Sequence, residues 1–270
     1  MIPRLRSVFR HITPRRKMTT NTNVACCTIP PVQSDYTPKG TFKNLGNFNK
    51  VYVTGPNSST NAIVCVFDIF GFYPQTQQGA DIIASTLNTT VYMPDFFDPE
   101  PPFPYDPFPP TTDEGKQSLG NFFATTASPP KTTAKLLEFG NFLKTNSIAS
   151  KIGVYGFCWG GKVTVLGGGE GTPFSAVSII HPAMMSAEDY EKATVPVALY
   201  PSGHEPLEEY ETIVGILAKK PYASLCDHKY YKNMHHGFAA ARSDLKNAEN
   251  LKEFEDVYGK LVNFFKKALE

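Results

Sequence analysis

A chain of 270 residues is long enough to bury a sizeable core, and a composition of 41% hydrophobic and 19% charged residues is that of an ordinary globular protein. No run approaches the roughly 18 consecutive apolar residues that cross a bilayer, so no membrane insertion is expected. The net charge of +1 conceals an asymmetry: Arg4, Arg6, Arg10, Arg15, Arg16 and Lys17 give residues 1–34 a charge of +6, and the remainder carries −5. A mildly acidic body offers no electrostatic footprint for nucleic acid.

Residues 1–23 form a basic extension carrying Leu5, Val8, Phe9 and Ile12 but no acid. Two readings stand: an amphipathic mitochondrial presequence, or a disordered extension that a start at Met18 would largely omit. The expected location is cytoplasmic, or mitochondrial where the extension acts as a presequence. Residues 24–270 are expected to form a single domain. Cys26, Cys27, Cys65, Cys158 and Cys226 are odd in number and lack paired spacing, which argues against a disulfide framework and for a reducing compartment. Cys26 and Cys27 lack further ligands at zinc spacing, so no metal is expected.

In chain order, residues 41–54 hold short apolar stretches broken by glycine, which predicts a small antiparallel edge. Residues 62–67 form a continuous apolar run, the pattern of a strand buried on both faces. Helical spacing follows over 77–87, then a strand over 90–93. Residues 98–110 carry seven prolines and several aromatics, so they form an irregular loop, either a lid over a site or a surface loop packed on its own rings. Helices are predicted over 116–124, 131–144, 162–166, 207–219 and 245–269. Strands are predicted over 152–155, 176–180, 195–200 and 228–232. Strand alternating with helix predicts an α/β fold with a mostly parallel central sheet and helices on both faces.

The segment Ile152-Gly153-Val154-Tyr155-Gly156-Phe157-Cys158-Trp159-Gly160-Gly161-Lys162 carries the chemistry. A nucleophile elbow places a strained residue between strand and helix, with glycine two positions to either side so that backbones can approach. Gly156, Cys158 and Gly160 meet that spacing, with cysteine in the place of the commoner serine. The helix N-terminus behind Cys158 favours a thiolate, and the Trp159 N–H would point at a developing oxyanion. The alternative is a buried structural cysteine in a glycine-rich turn.

Such a nucleophile needs a base and an orienting acid, in the chain order nucleophile, acid, histidine. His236 follows the last predicted strand, in Met234-His235-His236-Gly237-Phe238, and its neighbour His235 is the competitor. His181, after the strand at 176–180, reads as a satisfied structural histidine, and His11, His204 and His228 have no comparable setting. Glu205, in Ser202-Gly203-His204-Glu205-Pro206, is the candidate acid; as the residue before Pro206 it equally suits the start of a helix. Asp189 and Asp227 fit less well.

These residues resemble the dienelactone hydrolase family, the carboxymethylenebutenolidase-like members of the α/β-hydrolase fold, over about residues 24–268. Gly156-Phe157-Cys158-Trp159-Gly160-Gly161 is similar to the family's G-x-C-x-G-G elbow, and His236-Gly237-Phe238 to its histidine segment. Asp68-Ile69-Phe70-Gly71 is similar to the family's E-I-F-G. The resemblance implies that Asp68 touches the Cys158 thiol and that the Ile69 N–H completes an oxyanion hole with Trp159. Read without the family, Asp68 is a carboxylate at a strand end that bonds to nearby backbone. Pro94-Asp95-Phe96-Phe97 resembles the family's P-D-L-Y turn. The arginines that hold a substrate carboxylate in bacterial lactone hydrolases are replaced by the region of Asp98 and by Ala240, with Arg242 as the nearby candidate for substrate binding. Ala25-Cys26-Cys27-Thr28-Ile29-Pro30-Pro31 resembles the start of fungal and other eukaryotic members.

The expectation is a cysteine-nucleophile hydrolase acting on a small ester or lactone through an acyl-enzyme, with no cofactor. The alternative is a thiol redox sensor or binding module that keeps the fold without turnover, since an accessible thiolate is also what peroxide oxidises.

Overall fold

The computed structural model describes residues 35–270 apart from Tyr105 and Pro107; the basic extension and the readings attached to it, including Cys26 and Cys27, lie outside the described residues. The described elements are β1 (Thr41–Leu45), β2 (Phe48–Thr54), β3 (Asn61–Val66), α1 (Pro74–Leu87), β4 (Thr90–Pro94), α2 (Asp113–Ala124), α3 (Pro129–Asn146) and β5 (Lys151–Phe157). They continue with α4 (Trp159–Gly167), β6 (Ala176–Ile180), α5 (Ala187–Glu191), β7 (Val197–Tyr200), α6 (Leu207–Leu217), β8 (Asp227–His228) and α7 (Ala248–Ala268).

One eight-stranded sheet runs in the order β1-β2-β4-β3-β5-β6-β7-β8. β1 and β2 pair antiparallel, β2 pairs antiparallel with β4, and every later pairing is parallel. The apolar run that sequence patterning assigned to a doubly covered strand is the centre of the sheet: Ala62, Ile63, Val64, Cys65 and Val66 are fully buried, between β4 and β5. Because strands β3 and β5 to β8 run the same way, the segments following them emerge at one edge of the sheet. That is where an open α/β sheet binds its ligands.

Most element ends lie within three residues of the predicted ones, and three differences have a visible cause. The strand predicted over 228–232 is only the two residues of β8, followed by an isolated bridge between Ser202 and Tyr231. It ends because the chain turns inward, where the Met234 N–H donates to the Tyr231 carbonyl at 2.9 Å and the Tyr231 hydroxyl donates to Asp256 at 2.6 Å. β7 starts at Val197 instead of 195, after Pro196, which has no N–H for a ladder. α7 starts at Ala248 because the Asn247 side chain caps it, accepting from the amides of Glu249 and Asn250 at 3.0 Å each. The short helix α5 has no counterpart in the sequence reading; five residues are too few for a periodic signal.

The proline-rich loop packs on its own rings. Phe103 and Phe108 are buried, 6.2 Å apart, with Phe122 of α2 5.4 Å from Phe103. The same loop touches the segment after β3, where the Phe103 N–H donates to the Ile69 carbonyl at 2.9 Å and Phe108 lies edge-on to Phe70 at 5.0 Å.

Candidate active site

Five consecutive sheet positions each deliver a polar residue to the same edge: Asp68 after β3, Cys158 after β5, His181 after β6, Glu205 after β7 and His236 after β8. The sheet order, not the sequence spacing, makes them neighbours.

Cys158 has φ 54° and ψ −119°, a conformation that costs a residue with a Cβ on the order of 1–3 kcal/mol. It is held there from both sides, because its N–H donates to the Ile180 carbonyl at 3.1 Å and its own carbonyl accepts from Ala183 at 2.9 Å and Gly161 at 3.1 Å. The flanking glycines are required by contact. A Cβ on Gly156 would lie 2.2 Å from the Gly160 carbonyl oxygen, and one on Gly160 would lie 2.3 Å from the carbonyl oxygens of both Val66 and Phe67. The elbow therefore sits directly against the end of β3, the segment that carries Asp68 and Ile69. Trp159 opens α4 fully buried, with its indole N–H donating to the Ala127 carbonyl at 2.7 Å and its ring 4.9 Å from Phe97.

Glu205 and His236 form a fully desolvated pair, in which the Nδ1–H of His236 donates to Oε1 of Glu205 at 2.7 Å. The other carboxylate oxygen accepts from the backbone N–H of Ser202, so Glu205 has a fixed orientation. That bond assigns Glu205 to histidine rather than to the cap of α6, whose N-cap is Pro206. Of the two adjacent histidines, His236 faces the carboxylate. His235 instead turns its Nε2 to the Arg242 carbonyl at 3.1 Å, and burial lowers its pKa to about 4.

Asp68 is buried, and both its oxygens accept backbone amides, from Phe70 at 3.0 Å and from Ala241 at 3.3 Å. Burial raises its pKa to about 6 against the opposing pull of those two N–H groups, Arg242 and His236. Arg242 is itself buried, with its guanidinium carbon 5.9 Å from the centre of the Phe108 ring. The arginine substitutes divide in two. Asp98 accepts from Asn49 at 2.8 Å on the exposed side, and Ala240 is fully buried.

Two residues escaped the sequence reading. His204 was assigned no setting, yet its Nδ1 accepts the backbone N–H of His236 at 3.2 Å and so fixes the turn that carries the imidazole. His181 was expected to be satisfied; it is fully buried, and neither ring nitrogen has a hydrogen-bond partner in any other described residue. The available signal was position: both follow strands that end at the edge carrying Cys158.

The family model described as the dienelactone hydrolase family matches residues 49–269. The chain belongs to the dienelactone hydrolase family. It is similar to an uncharacterised AIM2 family protein of Schizosaccharomyces pombe, with 32% identity over 87% of this chain and 93% of the relative. It is also similar to the human carboxymethylenebutenolidase homolog, with 35% identity over 42% of this chain and 43% of the relative. Among solved structures, a putative dienelactone hydrolase from Klebsiella pneumoniae superposes with a TM-score of 0.62 at 14% identity, covering 88% of this chain and 99% of that one. The esterase Pf2001 of Pyrococcus furiosus gives 0.59 at 14% identity, covering 90% and 99%. At such identity these structures establish the α/β-hydrolase fold, and the family match identifies a dienelactone hydrolase-like ester or lactone hydrolase.

Proposed function

We propose that the protein hydrolyses a small carboxylic ester or lactone through a thioester formed on Cys158. The observation that carries this reading is the desolvated Glu205–His236 pair at 2.7 Å, on the same sheet edge as a cysteine held at φ 54°. A fixed carboxylate keeps the imidazole in the tautomer whose Nε2 can take or give a proton. The N-terminus of α4 behind Cys158 favours the thiolate over the thiol.

In the first half-reaction the Cys158 thiol passes its proton to Nε2 of His236, and the sulfur bonds to the carbonyl carbon. The oxygen, now negative, is received by the amides of Ile69 and Trp159. As the carbonyl re-forms, the C–O bond to the leaving alkoxide breaks and His236 supplies its proton. In the second half-reaction His236 takes a proton from water, whose oxygen attacks the thioester carbonyl. The acid departs and Cys158 returns as thiolate, with Glu205 orienting the imidazole throughout. Asp68 stands at the strand end against which the elbow is packed, as a proton partner for the thiol. Arg242, buried near that carboxylate, is the cation available to a negatively charged acyl group.

The test is hydrolysis of p-nitrophenyl esters by the wild type and Cys158→Ala. Loss of at least about 1,000-fold in kcat/KM is expected, since the nucleophile has no substitute. Equal rates in the two proteins, or oxidation of Cys158 to a sulfenate with no ester turnover at all, would overturn the reading.

A further inference from the structure

The hydrolytic scheme leaves His181 without a task, although it occupies the edge of the sheet between Cys158 and His236. Its backbone adopts φ 34°, a left-handed conformation that a side chain with a Cβ rarely takes. Its N–H donates to the Tyr200 carbonyl at 2.9 Å, and Ile180 before it and Ala183 two residues after it are tied to the nucleophile by the Cys158–Ile180 and Ala183–Cys158 bonds.

The ring stacks on Phe157 at 5.5 Å and meets His236 and Phe238 edge-on at 5.1 and 5.7 Å. It is fully buried, with no hydrogen-bond partner for either nitrogen in any other described residue. Burial first, and then the neighbouring imidazole of His236, push its pKa well below the ordinary value, so the ring is neutral, with one N–H donor and one acceptor nitrogen. A phenyl ring would fill the same aromatic nest without stranding two polar atoms. The stranded pair is therefore the feature that calls for a ligand.

We infer that His181 is a specificity-determining residue whose neutral imidazole donates a hydrogen bond to an oxygen on the acyl part of the bound ester. With β6 next to β5 in the sheet and its ring 5.1 Å from that of His236, His181 would address atoms attached close to the carbonyl carbon that Cys158 attacks. The favoured substrates thus carry an oxygen substituent beside the scissile carbonyl, where a plain aliphatic acyl group has a methylene. The inference rests on the hydrolase reading above, and its test separates the two.

The probes are p-nitrophenyl methoxyacetate and p-nitrophenyl butyrate, which match in length and differ by one ether oxygen for one methylene. After correction for their rates of alkaline hydrolysis, the wild type should favour the methoxyacetate by about tenfold in kcat/KM, the scale of one such hydrogen bond. His181→Phe keeps the aromatic nest, and His181→Asn suits the left-handed backbone. Each folded variant should lose the preference while keeping butyrate hydrolysis within about threefold of wild type. An equal loss on both esters would assign His181 to packing against His236 and overturn the inference, as would a corrected wild-type ratio near one. Failure of the wild type to hydrolyse either ester would instead overturn the hydrolase reading.

Discussion

Asp68 carries the conflict of the site in a single side chain. It is 3% exposed, it accepts two backbone amides that favour its charge, and burial nevertheless moves its pKa from 3.8 to about 6. A carboxyl whose folded pKa lies above its unfolded value binds its proton more tightly when folded. Its stabilising contribution is complete below about pH 4 and is lost as the pH rises through 6. The stability of wild type relative to Asp68→Asn should therefore decline by roughly 2–4 kcal/mol between pH 4 and pH 7, read from urea denaturation at each pH. A difference that does not change with pH would mean that the carboxyl titrates normally.

The family resemblance implied contact between Asp68 and the thiol, and the residue read alone implied bonds to nearby backbone. The hydrogen bonds to Phe70 and Ala241 are backbone bonds of the second kind, and the thiol contact belongs to the proposed mechanism. The amide of Ala241 lies 173 residues away in sequence, so no local pattern pointed to it. His236 and His235 were equally separable only in space: one bonds a carboxylate and the other a carbonyl.

At the scale of the element, the strand β5, the cysteine and the helix α4 form one unit whose sequence could be read directly. The reason is physical: close approach of backbones removes the space for any Cβ at positions 156 and 160. The atoms in the way at Gly160 are the carbonyl oxygens of Val66, the last residue of β3, and of Phe67 after it, and they cannot step aside as a flexible side-chain tip could. Gly160→Ala should destabilise the fold by roughly 3 kcal/mol or more, seen as a large fall in melting temperature. A melting temperature within a few degrees of wild type would contradict the packing described for the elbow.

The elements whose ends depart from the sequence pattern are those with weak or no periodicity. β8 was overextended because Tyr230 and Tyr231 suit a strand by composition, while Tyr231 is bent inward by Asp256. The start of α7 was set by the Asn247 cap and not by the apolar pattern. The proline-rich loop revealed only that it was irregular. Its bond to Ile69, and so its place beside the segment that would form the oxyanion hole, came from the three-dimensional structure.

For the molecule as a whole, the alternation of strand and helix was enough to give a mostly parallel sheet, and the sheet explains the site. Residues 68, 158, 181, 205 and 236 come together because β3, β5, β6, β7 and β8 lie side by side with the same direction. Cys158, Glu205 and His236 stand out as candidates in the sequence because each follows a predicted strand in the chain order of nucleophile, acid and histidine. His181 and His204 follow strands as well, but their partners are ring faces and a backbone amide, which leave no motif.

The central claim, a covalent acyl-enzyme on Cys158, is tested most directly by mass spectrometry of the acid-quenched reaction with p-nitrophenyl butyrate. The account predicts a butyryl mass on the peptide containing Cys158 in the wild type, with p-nitrophenol released in step with its formation, and neither adduct nor turnover in Cys158→Ala. A butyryl mass on any other residue, or undiminished turnover by Cys158→Ala, would contradict it.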